Sequence, residues 1–481
     1  MTDDRIAKML ADAGGSQTRR DLIKRGAALG FSAPAIAAVM SVLESRGALA
    51  QDGTPAASGA TNPLGVDPAA PLDVVIFKGG FGDDYAKYVN DNMYKKLYPN
   101  AQITYAGIQR LGEQLQPRFV AGEPPDVIDN SGAGNLDLNS LIAEEQLADL
   151  TDLMAAPSYD TEGVTFGDSL VDGSQEKGVF NGKQLHLELA LTVYGVWYSQ
   201  SLFEQKGWTY ATTWDEHLAL CEEIKGAGIA PWLTTGVHPQ YALEFLFNQM
   251  LWKHDPQAMI NIDNLEADAW KSPAVAEVAE AIFTLADRDY IGQGWEGLDH
   301  TQSQSEWLQG KAAMLPCGTW LENEMRDSIP AGFNMVVAPT PSLPGDKVPF
   351  EGIFAGAGEP FIVPSQGKNV QGGKEWLRLL FSREGGAKFA ELTSSLSVVK
   401  GSGEGLDLGT AFASTQAAIA AAGANTFSAR YPGWYPSFRD DAKLVLAELL
   451  QKRISIEDFQ NGVQELADEL KDDETIPKFT R

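Results

Sequence analysis

The side chains best equipped for binding chemistry in this sequence are aromatic. It holds 11 Trp, 13 Tyr and 21 Phe. Four tryptophans sit in glycine-, proline- or threonine-rich stretches with no helical or strand period. They are Trp232, Trp295 (in Gly294-Trp295-Glu296-Gly297), Trp320 (in Gly318-Thr319-Trp320) and Trp434 (in Tyr431-Pro432-Gly433-Trp434-Tyr435-Pro436). A flat indole covers the apolar face of a pyranose while neighbouring polar groups take its hydroxyls. The competing reading is that each indole plugs a gap in a core. Trp208, Trp214, Trp307 and Trp376 fall at helix starts or in periodic runs and read as core; Trp197 lies in a strand and admits either role. His238 and His300 stand beside loops, where an imidazole can donate to a sugar oxygen or simply pack.

Reactive constellations are scarce. There is no Gly-x-Ser-x-Gly elbow and no His-Glu-x-x-His zinc motif. Gly79-Gly80-Phe81-Gly82 fits neither dinucleotide nor P-loop spacing, and Asp83-Asp84 beside it repels phosphate; a turn that brings backbone close to a ligand fits it better. Glu188, Asp299, Glu322 and Glu359 lie near loop ends, but nothing in the sequence selects two of them as the carboxylate pair of a glycoside hydrolase. With 2 Cys and 5 His, a cysteine-built zinc site, an iron–sulfur cluster and a disulfide scaffold are excluded, and no metal or cofactor is expected. Cys221 keeps helical spacing with Trp214, Leu218 and Ile224 and reads as core; a Cys221–Cys317 bond is the alternative.

Positioning these groups falls to an ordinary globular chain of 481 residues, 44% hydrophobic and 21% charged. Its net charge of -28 opposes nucleic acid and anionic lipid. The first fifty residues read as an address. Arg19-Arg20 precede an apolar run from Gly26 to Leu43, and Ala48-Leu49-Ala50 follows: a twin-arginine export signal with an A-x-A cleavage site. Gly30 and Pro34 interrupt the run, which at about 18 residues is short for a membrane span. No cysteine follows it, so no lipid-attachment site of the usual bacterial kind is present. Residues 51–70 read as a flexible tether. From residue 72 strands and helices alternate: strands over 72–77, 101–108, 125–129, 193–198, 230–234 and 334–338, with helices near 85–97 and 111–120, one opening at Thr213, and others near 242–251, 274–287, 302–309, 373–380, 384–392, 440–450 and 456–470. The alternation predicts parallel sheets covered by helices.

Six stretches, in order, resemble the extracellular solute-binding proteins of bacterial sugar ABC importers. They are Ala121-Gly122-Glu123-Pro124-Pro125-Asp126-Val127, Phe180-Asn181-Gly182-Lys183-Gln184, Tyr194-Gly195-Val196-Trp197-Tyr198-Ser199-Gln200-Ser201-Leu202-Phe203, Thr213-Trp214-Asp215-Glu216, Trp307-Leu308-Gln309-Gly310-Lys311-Ala312-Ala313-Met314 and Gly318-Thr319-Trp320. Phe77 to Ala86, Leu298 to Gln304 and Gly318 to Met325 further resemble the branch that binds N-acetylglucosamine and N,N'-diacetylchitobiose. The resemblance implies the α/β periplasmic-binding-protein type II fold, two α/β lobes joined by a hinge with the ligand cleft between them. Lobe 1 would comprise 71–190 with 339–398, and lobe 2 would comprise 191–338 with 399–481. It further implies a non-catalytic monomer that captures an uncharged amino sugar outside the cell and hands it to a membrane permease on lobe closure; a binding protein of the same fold for another oligosaccharide or a polyol, or a secreted glycoside hydrolase, is the alternative. Ligand contacts implied from lobe 1 are Asp83, Gln109, Asn130 and Ser131. Trp320 is the expected stacking platform, with Tyr194, His238, Tyr241, Trp295, His300, Gln302, Glu359 and Trp434 around it.

Overall fold

The computed structural model describes residues 62–132 and 134–481. The export signal and most of the tether lie outside the described residues. The end of the expected tether is already structured: Val66 is buried in the first core, and Ala70 donates its N–H to the Asp67 carbonyl in a turn.

Leu72–Phe77 (β1) is an apolar, β-branched run that suits a strand covered on both faces. It lies between Ile103–Ile108 (β2) and Val127–Asp129 (β3), parallel to both. Helical chain over 84–97 makes the β1–β2 crossover, and Leu111–Val120 makes the β2–β3 one. A second set of strands follows. Leu187–Ser199 (β4) is thirteen residues long; Ala230–Trp232 (β5) is parallel to Ala312–Gly318 (β6), which pairs antiparallel with β4. Met335–Ala338 (β7) pairs with the far end of β4, and Ile353–Ile362 (β8) runs antiparallel to both β4 and β3. The main path is therefore β2-β1-β3-β8-β4-β6-β5.

Two strands, β4 and β8, carry the chain from one half of the sheet to the other, and the hydrophobic cores divide along them. Leu187, Leu189, Ala190, Ala357 and Phe361 belong to the core around β1–β3, whereas Val193, Val196, Trp197, Phe354 and Ala355 belong to the core around β5–β7. The divide falls near Thr192 on β4 and Gly356 on β8. The third crossing lies between Val399 and Ala411. Residues 339–352, expected in lobe 1, are fastened to the second half instead. Tyr210 donates to the Pro339 carbonyl at 2.8 Å, Lys253 Nζ to the Thr340 carbonyl at 2.6 Å, and His254 Nδ1 lies 2.9 Å from Asp346. The chain returns to the first half along β8.

Local signals set the helix starts. Thr213 and Glu216 form a capping box at Trp214–Gly226, as do Asp299 and Gln302 at His300–Leu308. Cys221 and Cys317 are both free and buried, so the alternative of a bond between them is not realised. Among the described residues no helix is long and apolar enough to cross a membrane.

Candidate functional site

Trp320 follows β6, and its ring folds back over Gly318, where a Cβ would lie 2.2 Å from the indole. This is why the motif needs a glycine two residues before the tryptophan. The half-buried indole meets Tyr194 edge-on at 5.6 Å, Phe245 at 5.8 Å and Tyr241 at 6.1 Å. Tyr194 pairs with Gly318 on β6 and Phe354 on β8, and its ring stacks on Phe245 at 4.6 Å and on Phe354 at 4.3 Å. Tyr241 and Phe245, four residues apart, share one helical face. The nest is packed from behind, so the indole is held by its neighbours rather than by a loop.

Polar groups border it. His300 Nε2 lies 3.3 Å from Glu324 Oε1, and the His300 and His238 rings are 5.0 Å apart. The hydrogen bond with Glu324 holds His300 above the usual imidazole range, while burial and the His300 charge push His238 below it.

A second polar cluster stands at the carboxyl end of β3 and on β8. Ser131 donates to Asp129, and Tyr85 donates to the other oxygen of that carboxylate at 2.9 Å. Burial and the Glu359 charge push Asp129 upward; burial raises Glu359 to about 7 against the Ser131 hydrogen bond. Glu359 holds φ at 62°, a left-handed conformation rare for a residue with a side chain, on the strand that crosses between lobes. Asp83 is more firmly committed. It accepts from Lys87 at 2.8 Å and Tyr105 at 3.0 Å. Burial alone would raise it, but these donors and the Lys87 and Lys78 charges leave it below the ordinary carboxylate range.

The structure thus brings Tyr194, His238, Tyr241, His300 and Trp320 together, and Ser131 with Glu359. It does not do so for the rest. Trp295 is buried in the second core, as is Trp232, whose indole N–H donates to His217. A covered ring offers no stacking face. The Asn130 side chain is spent on the backbone of Leu136, which it both donates to and accepts from. The Gln302 side-chain Oε1 accepts the Asp299 N–H in the capping box. Gln109 is exposed beyond the end of β2. Trp434 is half-buried beside Phe479, its carbonyl 3.4 Å from Asn139 of the first half.

Residues 78–387 match the family described as bacterial extracellular solute-binding protein. The chain belongs to that family. It is 33% identical over 468 residues to the diacetylchitobiose binding protein NgcE of Streptomyces coelicolor, covering 96% of this chain and 98% of that one. It is 22% identical over 322 residues to the multiple sugar-binding protein of Streptococcus mutans, covering 64% and 70%. Among solved structures, a chitin oligosaccharide binding protein superimposes with a TM-score of 0.69 at 19% identity, covering 84% of this chain and 99% of that one. The binding protein RafE in complex with raffinose does so with 0.65 at 17% identity, covering 83% and 99%. The fold is thus the periplasmic-binding-protein type II fold, two α/β lobes with a cleft between them.

In this solute-binding protein Tyr194, Tyr241 and Phe245 pack in the core around β5–β7, Trp320 packs against both cores, and Asp129 and Ser131 stand at the end of β3. The sequence reading did not name Phe245, Phe354, Asp129 or Glu324 as site residues, although Glu324 lies in the stretch from Gly318 to Met325. Phe245 was legible as the i+4 neighbour of Tyr241. Phe354 was not, because its place beside Tyr194 depends on the β4–β8 register.

Proposed function

We propose that this protein is the substrate-binding component of a carbohydrate ABC importer. It captures N-acetylglucosamine or N,N'-diacetylchitobiose outside the cell and delivers the sugar to a membrane permease by lobe closure. The observation that carries the reading is similarity along nearly the whole length of a diacetylchitobiose binding protein. The half-buried Trp320, braced by Tyr194, Tyr241 and Phe245, supports it by offering a rigid apolar face with His238 and His300 beside it. The protein binds without catalysing and acts as a monomer. Arg19-Arg20 send it out by the twin-arginine route. The lobes divide at the three places where the cores part, near Thr192, near Gly356 and between Val399 and Ala411.

Isothermal titration of the purified protein with N-acetylglucosamine, N,N'-diacetylchitobiose, maltose, xylobiose and cellobiose tests this. Heat with either of the first two and a weaker response to the others is expected. Silence with both amino sugars removes the specific ligand, and silence with the whole panel removes the carbohydrate reading. The same mixtures, sampled over hours for free monosaccharide, check that nothing is hydrolysed.

A further inference from the structure

Phe77, the last residue of β1, is half-buried. Its ring lies between two glycines. A Cβ on Gly79 would sit 2.1 Å from the ring, and one on Gly132 would sit 2.3 Å from it, both closer than side chains come. Gly79 follows β1 and Gly132 follows β3, so the ring stands at the carboxyl ends of two adjacent parallel strands. That is where open α/β sheets meet their ligands. On its inner side Phe77 packs on the small core of Val75, Leu111 and Ile128.

The next residue in the loop faces the other lobe. A Cβ on Gly80 would lie 3.0 Å from Trp320 Cβ and 3.2 Å from its indole. Adjacent residues reach only so far, so Phe77 of lobe 1 and Trp320 of lobe 2 are at most about 12 Å apart. Two aromatic rings, each partly open and each set over glycine, thus border one Gly-Gly loop from opposite lobes.

We propose that Phe77 is a ligand contact that determines specificity, covering one apolar face of the bound saccharide from lobe 1 while Trp320 covers another from lobe 2. This rests on the carbohydrate reading above. The chemistry selected is that of gluco-configured pyranoses, whose equatorial substituents leave both ring faces lined with C–H. An axial hydroxyl interrupts one of those faces. Gly79 and Gly132 keep the slot for the ring, which explains a glycine-rich loop that has no phosphate-binding spacing.

The test is titration of N,N'-diacetylchitobiose into the unaltered protein and into Phe77→Leu, Phe77→Tyr and Val120→Ala, with sugar-free melting curves for each. Leucine keeps apolar bulk against the glycines but removes the flat face. It is expected to weaken binding about tenfold, or about 1.4 kcal/mol, with little change in melting. Tyrosine keeps the face and is expected to stay within about threefold. Val120, 85% exposed, reports on a site elsewhere and stays unchanged. A loss below about threefold in Phe77→Leu overturns the inference. Should that variant melt early, Gly79→Ala displaces the ring without removing it, and full affinity there overturns the inference equally. An unaltered protein that binds no sugar overturns the carbohydrate reading and this inference together; an unaltered protein that binds, with a Phe77→Leu that binds as well, overturns this inference alone.

Discussion

Trp320 shows what a single residue's surroundings add to its type. Four tryptophans stood in similar glycine- or threonine-bordered stretches, yet Trp232 and Trp295 turn inward and are covered, while Trp320 and Trp434 stay part-open. Sequence identified the stretches; which way a ring turns depends on what packs behind it. Replacing Trp320 by alanine should cost about tenfold in sugar affinity, since the apolar area it would cover on a pyranose face is worth on the order of 1–2 kcal/mol at about 25 cal/mol per Å². Melting should fall modestly, because the ring is half-exposed, and calorimetric titration beside a melting curve separates the two effects. Glu359 gives a second residue-level expectation. Its value of about 7 in the fold lies above its ordinary 4.5, so the folded state holds more protons between those limits. Stability from this group is present below pH 4.5 and is lost as pH rises through 7. Glu244, half-buried and raised to about 7 by desolvation, acts in the same direction. Glu359→Gln removes one titration, so the fall in melting temperature from pH 5 to pH 8 should shrink without vanishing. An unchanged fall would show that Glu359 ionises freely in the fold.

Elements were legible where a period or a cap marks them. The helix opened by Thr213 and the strand over 72–77 lie where the pattern predicts. The strand β8 was not legible. Gly356, Gly358 and Pro360 break its apolar run, and it forms because β4 and β3 offer paired edges on either side. That omission is also why the return to lobe 1 was expected near Pro339. β6 carries Pro316 in a register opposite Val196, another case in which pairing overrides propensity. At the end of β6, Gly318 is the hinge between strand and platform. Alanine there would put a methyl 2.2 Å from the Trp320 ring and must push it aside. Gly318→Ala is therefore expected to fold, and to lose sugar affinity nearly as far as Trp320→Ala, with a changed tryptophan emission spectrum. Wild-type affinity in this variant would mean that the indole's seat on Gly318 is not what the ligand reads.

At the scale of the whole molecule, contacts between the lobes matter most; Gly80 and Asn323 stand in stretches the sequence singles out, but neither stretch shows that the two meet. Asn323 donates to the Gly80 carbonyl, and Arg326 donates both to the Leu392 carbonyl and to Asn323. Gly80 lies against Trp320 in the same place. The segment proposed to carry the stacking platform thus also holds Gly80 and Leu392, and on the proposed reading this couples ligand contact to closure. Hinge proteins of this kind exchange open and closed forms, and a ligand that favours the closed form shifts the balance by its differential affinity. The grip contributes to closure without ligand, so weakening it should raise the open population and lower apparent affinity in proportion to the closed fraction lost, at most by the factor of the shift itself. One hydrogen bond is worth about 1 kcal/mol net, so Asn323→Ala should shift the balance about fivefold. Small-angle scattering of the sugar-free variant should then show a larger radius of gyration than the unaltered protein, with saturating sugar returning both to one value. Titration should show the matching loss of affinity. Equal sugar-free radii with equal affinities would mean that closure does not depend on this grip and is set by the crossover strands alone.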